Sequence, residues 1–431
     1  MTVVEKRKPI PVEDAVNKVM DLAKKGKKEM VLIEEAHGRY LSEDLIADHD
    51  VPSFDRSPYD GFAIRAEDTI NASSDHPVTF EVVGEIGAGS LFEDKVKPFQ
   101  AVRIMTGAQL PKDCDAVVML ELVKEHGEKD NPLIDIKRTF QKGDNISFQG
   151  EDTKKGTVLA EKGSYINPGV SALLATFGYK EVPVAAKPVV GVIATGSELL
   201  EVEEELVPGK IRNSNAYMVL AQIEKAGGQA EYFGKFEDDF EACLQVTKEA
   251  LSKVDMLITT GGVSVGDYDY VPEIFKALGA EVLFNKIAMR PGSVTTVAHT
   301  DGKFIYGLSG NPSACYVGFE LFVRPVLHTA FYRRAPHLRK TKAALGADFP
   351  KPNPFTRFIR AKIEYEENKL LVFPSGLDKS GVVTSLAAAD ALIVLPGGTR
   401  GYEQGMIVDV LLLEDFQGSE WPWTNIVQSY R

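Results

Sequence analysis

Apolar and polar positions follow three different rhythms along this chain. Residues 11–25, PVEDAVNKVMDLAKK, place Val12, Val16, Val19, Met20 and Ala23 at helical spacing. Pro11 suits a first turn, and Glu13 and Asp14 suit the positive end of the helix dipole. Between 77 and 125 the period shortens. The runs VTFEVVGEIGAG, AVRIMTGAQLP and DAVVMLELV are β-rich and divided by Gly and Pro, the pattern of a small all-β module. From 143 to 187 the pattern is mixed, with NPGVSALLATFGY predicted as a helix ending at Gly178. Packing that helix back on the first one makes the β module an insertion.

From 188 onward apolar runs alternate with amphipathic ones. PVVGVIATG, QAEYFGK, VDMLITTGG, EVLFNKIAM, SVTTVAH and KFIYGLSG read as strands. NSNAYMVLAQIEKAGG, FEACLQVTKEALSK and DYVPEIFKALGA read as helices, the first capped by Asn213 or Ser214 and the last with Pro272 in its first turn. NPSACYVGFELFVRPVL is predicted as one long apolar helix. This alternation predicts a doubly wound α/β domain with a largely parallel sheet. Beyond about 335, RFIRAKIEYE, KLLVFP, ADALIVLPGG and GMIVDVLLLE predict a small β-barrel or sandwich. The expectation is a multidomain α/β chain of four parts. A mixed N-terminal domain comprises 1–48 and 150–187, and an inserted β-rich module comprises 49–149. The α/β domain spans 188–332 and a C-terminal β-barrel spans 333–431.

Composition narrows the function. The 431 residues are 44% hydrophobic and 26% charged, with net charge −13, an ordinary soluble composition that argues against a nucleic-acid partner. No apolar stretch is long enough for a membrane span, and the start lacks a signal-peptide core, so a cytoplasmic location is expected. Cys114, Cys243 and Cys315 form no C-x-x-C pair. They are expected to be reduced and packed rather than metal-binding.

Ligands of an open parallel sheet bind beyond the carboxyl ends of its strands. Three loops at that edge are unusual: IATGSELL with Thr195, Gly196, Ser197 and Glu198; TTGGVSVGDYDY with Gly261, Gly262, Ser264, Asp267 and Asp269; and GLSGNPSA. In the last, Ser309, Gly310, Asn311, Pro312 and Ser313 run into a helix whose free N–H groups suit a phosphate. Taken alone, SGNPS also reads as a tight turn with Pro at the helix start. Asp267 and Asp269 read as helix caps or as ligands of a cation held against an anion. With Glu198 they favour a magnesium–phosphate site, since Mg²⁺ is held through one or two carboxylates. Lys286 and Arg290 in NKIAMRPG add positive charge. Outside this domain, Asp60 in SPYDGFAIRAED, Thr106 in RIMTGAQLP and Asp152 in QGEDTKKG sit on predicted turns.

In this order, these motifs resemble the molybdopterin molybdenumtransferase family, MoeA in bacteria and the E domain of gephyrin in animals. The match covers essentially the whole chain, and TTGGVSVGDYDY and RIMTGAQLP are its most specific parts. The resemblance implies a MoaB/MogA-like α/β domain in an elongated, homodimeric, cytoplasmic enzyme. Such an enzyme takes adenylylated molybdopterin and molybdate with Mg²⁺ and releases molybdenum cofactor and AMP. By match of motif, Glu198, Asp238, Asp269, Lys286 and Arg290 line the nucleotide and metal side, with Glu198 and Asp269 as metal ligands. Asp60, Thr106 and Asp152 close the cleft from the partner subunit and share catalysis with them, whereas Arg360 and Ser380 serve the molybdate end. Asp267 falls to a turn or cap. Expected partners are a second copy, the molybdopterin adenylyltransferase and molybdoenzyme chaperones, with no nucleic acid or membrane.

Departures from the family pattern are Tyr59 for Met, Ser309 for the Pro of LPGNP, Ser293 for a Lys, and Ser147, Phe148 and Gln149 for a basic run. Several of them remove positive charge from the anion path. The alternative reading is a weakly active or non-catalytic paralog that serves as a molybdopterin-binding scaffold.

Overall fold

A computed structural model of the chain describes residues 8–236, 239–262, 271–352, 354–366, 369–414, 418 and 420–423. They form two compact units. One joins the chain up to Glu43 with 162–171 and everything from Lys180 onward; the other is 44–161 with 172–179.

In the larger unit, helix α1 (Val12–Met20) buries Val12, Ala15, Val16 and Val19 on one face. It stops at Met20 rather than at Lys25, because Leu22 and Ala23 turn their N–H groups to carbonyls only three residues back and so tighten the last turn. Lys28–Leu32 then pairs antiparallel with Glu181–Ala185.

The smaller unit carries strands β1 (Gly61–Ile64), β2 (Val78–Ile86), β3 (Gln100–Ile104), β4 (Ala116–Met119), β5 (Val123–Glu128) and β6 (Asn131–Ile136). They make one six-stranded sheet in the order β4-β1-β3-β2-β6-β5. All pairs are antiparallel except β2–β3. Alternation across the sheet feeds two cores. Phe62 and Ile64 join Phe80, Val118 and Ile134 on one face, and Ala63 joins Val102, Ile104 and Val117 on the other.

The α/β region of the larger unit consists of β7 (Val189–Thr195), α2 (Ser214–Lys225), β8 (Gln229–Phe236), α3 (Phe240–Lys253), β9 (Met256–Thr260), α4 (Val271–Ala277), β10 (Glu281–Phe284), β11 (Thr296–Thr300), β12 (Lys303–Leu308) and α5 (Pro312–Gly318). The sheet order is β8-β7-β9-β12-β11-β10. Its first four strands are parallel and the last two antiparallel. Val190, Val192 and Ala194 of β7 pack with Ala216, Val219 and Ile223 of α2, whereas Ile193 packs with Cys243, Ile274 and Phe275 from α3 and α4. Helices on both faces of a mainly parallel sheet make the region doubly wound.

The single long helix expected at 311–327 is instead divided. Between α5 and the helix Arg324–Ala330, residues Phe319–Val323 form a π-helical turn. Pro325 has no N–H to donate and its ring crowds the carbonyl of Leu321, so the ladder widens there. Beyond it, β13 (Arg339–Leu345), β14 (Thr356–Glu366), β15 (Lys369–Pro374), β16 (Ala391–Leu395) and β17 (Ile407–Leu412) close into a five-stranded barrel. The closing order is β14-β15-β13-β17-β16, with β16 pairing back on β14. Met289–Arg290 pairs in parallel with Thr356 and Arg357 at the start of β14, which ties the barrel to the α/β region.

Candidate functional site

Strands β7, β9 and β12 end together, at Thr195, Thr260 and Leu308. Two cavities open beside them, and Asn311 lines both. The first, about 350 Å³, is walled by Thr195, Glu198, Asn213, Asn215, Gly261, Gly310 and Pro312. The second, about 400 Å³, is walled by Arg290, Ser309, Arg357, Arg360, Asp378, Lys379 and Ser380.

Local chemistry explains how each wall is held. Asn213 caps α2 by accepting the Ala216 N–H at 3.2 Å, and its amide nitrogen donates to the Tyr232 hydroxyl at 2.9 Å. Asn215 donates to the Gly310 carbonyl at 2.8 Å, while its own Oδ1 is buried and unpartnered among the described residues. A buried acceptor left unpaired costs about 1–3 kcal/mol, so the first cavity wall is suited to a ligand donor. Ser309 accepts the Asn311 N–H at 3.3 Å. Ser313 donates its N–H to Ser380 O at 3.0 Å and its hydroxyl to Val382 O at 2.8 Å. Those two bonds bring Ser380 to the start of α5.

The second cavity is strongly cationic. Arg360 is almost wholly buried and donates to Asp378 Oδ1 at 3.4 Å, to the carbonyls of Leu377 and Lys379 at 3.2 Å each, and to the Ser385 hydroxyl at 3.3 Å. Arg357 donates to Asp378 Oδ2 at 2.5 Å. Burial lowers the Arg360 pKa even though Asp378 opposes the shift. One carboxylate therefore does not fully compensate the charge sunk there, and an added oxyanion would relieve the imbalance. Arginine nonetheless stays protonated at any working pH.

The cavities thus gather Thr195, Glu198, Gly261, Gly310, Asn311 and Pro312 on one side, and Arg290, Ser309, Asn311, Arg360 and Ser380 on the other. Gly196, Ser197, Gly262 and Lys286 line neither. Asp238, Ser264, Asp267 and Asp269 lie outside the described residues. Among the described residues no group of three or more His, Cys, Asp or Glu side chains is arranged to hold a metal ion. Glu198 is exposed and folds its carboxylate back over Gly196, where a Cβ would lie 2.5 Å from Oε2. A single hard oxygen donor at a cavity rim fits Mg²⁺, which keeps its waters and takes phosphate oxygens. Sequence reading missed Asn215, Arg357, Asp378 and Lys379 as site residues, and it took Asn213 only for a cap.

In the other unit, Asp60 accepts the Thr106 N–H at 2.7 Å and the Thr106 hydroxyl at 2.8 Å. Those bonds, the backbone one first, hold its carboxyl below the usual range. Asp152 is tied instead to Val51, whose carbonyl accepts its N–H at 3.1 Å. Thr106→Ala removes the second donor and keeps the first. The Asp60 carboxyl is then expected to titrate higher, partway back to its ordinary value, in a carbon-detected NMR titration. An unmoved titration would contradict the pairing. The sign is that of a depressed carboxylate: the stabilisation is present above the ordinary pKa and lost as pH falls through the lowered one.

All three cysteines are free and buried, as expected. Burial pushes the Cys114 thiol up to about 12 and the Cys315 thiol well above its usual value. Neither supplies a thiolate near neutral pH.

Three family models match in succession. The MoeA N-terminal region (domain I and II) covers residues 10–178, a probable molybdopterin binding domain covers 191–329, and the MoeA C-terminal region (domain IV) covers 342–413. The chain is 59% identical over 426 residues to the molybdopterin molybdenumtransferase of Bacillus subtilis, with 99% of each chain covered. The chain belongs to the molybdopterin molybdenumtransferase family. It is 52% identical to the Staphylococcus epidermidis molybdopterin molybdenumtransferase over 95% of this chain and 97% of that one. The crystal structure of a molybdopterin biosynthesis MoeA protein from Pyrococcus horikosii superimposes with TM-score 0.83 at 32% identity, covering 95% of this chain and 100% of that one. As a member of this family the chain is a transferase of molybdenum cofactor biosynthesis. Both cavities fall where two matched regions meet the ends of the parallel strands. Among the described residues no helix is long and apolar enough to cross a membrane.

Proposed function

We propose that the two cavities receive the two ends of adenylylated molybdopterin, the nucleotide in the first and the molybdate-accepting dithiolene in the second. The reaction inserts molybdenum and releases AMP, with molybdenum cofactor as the other product. The observation that carries this reading is the shared wall at Asn311. A neutral, amide-lined cavity and a cationic one with a buried Arg360 adjoin across a single residue. Arg290, Arg357, Arg360 and Lys379 attract and orient the molybdate dianion, with Ser309 and Ser380 offering hydroxyls to its oxygens. Asn213 and Asn215 orient the nucleotide. Glu198 would hold Mg²⁺, which when bound neutralises phosphate charge. No cysteine lines either cavity, so the nucleophile is an oxygen of bound molybdate or water, aligned by these side chains.

The test is AMP release from adenylylated molybdopterin by the purified chain, with and without molybdate and Mg²⁺. Release is expected to need both, and to fall at least about a hundredfold in Glu198→Gln, Asp269→Ala and Asp60→Ala, as for loss of a positioned charge in a transition-state site. Release that ignores molybdate would sink the reading. The proposal extends to a homodimer in which Asp60, Thr106 and Asp152 of one copy complete the cleft of the other. Mixing inactive Asp60→Ala chains with inactive Glu198→Gln chains should then restore activity, because some mixed dimers hold one intact cleft.

A further inference from the structure

A third cavity, about 460 Å³, lies at the opposite edge of the parallel sheet. Its walls come from the N-terminal ends of the strands whose C-terminal ends form the site above. Pro188 precedes β7, Asp255 and Met256 begin β9, and Lys303 and Phe304 begin β12. Strands of five to seven residues at about 3.3 Å per residue put the two edges roughly 15–20 Å apart. The cavity is therefore no extension of the site already described.

Its lining runs against the charge of the whole chain. In a chain of net charge −13, five lysines, Lys24, Lys25, Lys27, Lys187 and Lys303, line this one cavity against two carboxylates. One of those, Asp255, is engaged by the Val189 N–H at 2.8 Å. The other, Asp301, sits in the turn between β11 and β12. Lys303 donates to Leu251 O at 2.5 Å. Among the described residues the side chains of Lys24, Lys25, Lys27 and Lys187 make no hydrogen bond or ion pair. Beneath them the floor is apolar, with Leu22, Met256, Phe304 and Val326.

The loop that carries three of the lysines is held at its backbone. Gly26 donates its N–H to Ala330 O at 3.0 Å and accepts the Tyr332 hydroxyl at 2.6 Å, and Lys27 O accepts the Ala186 N–H at 2.9 Å. Fixing the loop in the folded chain reduces what a ligand must spend to order it. Unpaired ammonium groups above an apolar floor match a molecule with the opposite halves, phosphate charge at one end and a flat ring at the other.

We propose that this cavity is a second ligand site, one that binds an organic phosphate of nucleotide type with its ring on Phe304 and Met256 and its phosphates among the lysines. It works independently of the reading of the first site. The probe is ADP, with inorganic pyrophosphate as the ring-free control, followed by hydrogen–deuterium exchange on the full chain at low ionic strength. ADP is expected to protect residues 22–27 and 301–304, and added salt to weaken that protection. In Lys25→Glu/Lys27→Glu the affinity read from these peptides should drop about tenfold or more, while molybdate-dependent AMP release stays at the wild-type level. Protection confined to 195–215 and 309–313 overturns the proposal. So does undiminished affinity in the double variant, or pyrophosphate binding as tightly as ADP. If the variant loses ADP protection while the wild type itself shows no molybdate-dependent release, the second site stands and the reading of the first fails.

Discussion

Replacing Arg360 by alanine is expected to destabilise the C-terminal barrel by about 3 kcal/mol, the order seen when one partner of a buried ion pair is removed. Arg360 is 2% exposed and its partner Asp378 is 9% exposed by side chain. After truncation Asp378 keeps Arg357, but the carbonyls of Leu377 and Lys379 lose their donor. The loop 377–380 then keeps the Arg357–Asp378 pair and the Ser313 N–H on Ser380 O but loses its other anchors, so Ser380 is held less firmly. Arg360→Lys separates charge from shape. It keeps a positive group, but a lysine cannot reproduce the planar fork that reaches a carboxylate and two carbonyls together. Urea unfolding should rank wild type above Arg360→Lys and Arg360→Lys above Arg360→Ala. Half-saturating molybdate should rise at least about tenfold in both variants. An alanine variant as stable as wild type would show that the network holds nothing in place.

Much of this architecture was legible in the sequence, and the exceptions have identifiable causes. The alternation of strands and helices from 188 onward was visible because the central strands bury both faces, as the fully buried run Met256–Thr260 shows. Thr195, Glu198 and Gly261 could be placed at one edge because strand ends in a parallel sheet coincide. Arg360 and Ser380 came only from family resemblance. Within β14, residues three apart belong to opposite faces, so pattern reading separates Arg357 from Arg360. A loop aspartate 18 residues after Arg360 and 21 after Arg357 joins them, and nothing local announces that meeting. Asn215 was hidden for a related reason. In the first turn of a helix it reads as ordinary polar filler, and its partner Gly310 lies 95 residues away. The π turn at Phe319–Val323 was readable in principle, since Pro325 inside an apolar helical run signals a broken ladder.

The first of the paired glycines at the end of β9 is required by the backbone itself. Gly261 has φ +96°, and a Cβ there would lie 2.3 Å from Thr195 O. Its N–H is also fixed to Leu308 O at 3.0 Å, so it is bound on one side and blocked on the other. Gly261→Ala must therefore bear both the backbone strain of a positive φ, about 1–3 kcal/mol, and displacement of a carbonyl in the central strand β7. A loss of about 3 kcal/mol or more is expected. Gly262 differs although it is adjacent. Its φ is +64°, and an added Cβ meets only side-chain atoms, Thr195 Oγ1 at 3.0 Å and Val271 Cγ2 at 3.1 Å. Gly262→Ala should cost about 1 kcal/mol. Gly209, with φ +82° and open space around the added Cβ, should cost no more than that. Urea unfolding of the three variants is thus expected to separate Gly261→Ala from the other two. Because Thr195 and Gly261 both wall the first cavity, Gly261→Ala should also weaken AMP binding, while Gly209→Ala leaves it unchanged. Equal stability losses at all three positions would mean that positive φ alone is being read. The packing of Gly261 against Thr195 would then carry no weight in shaping the first cavity.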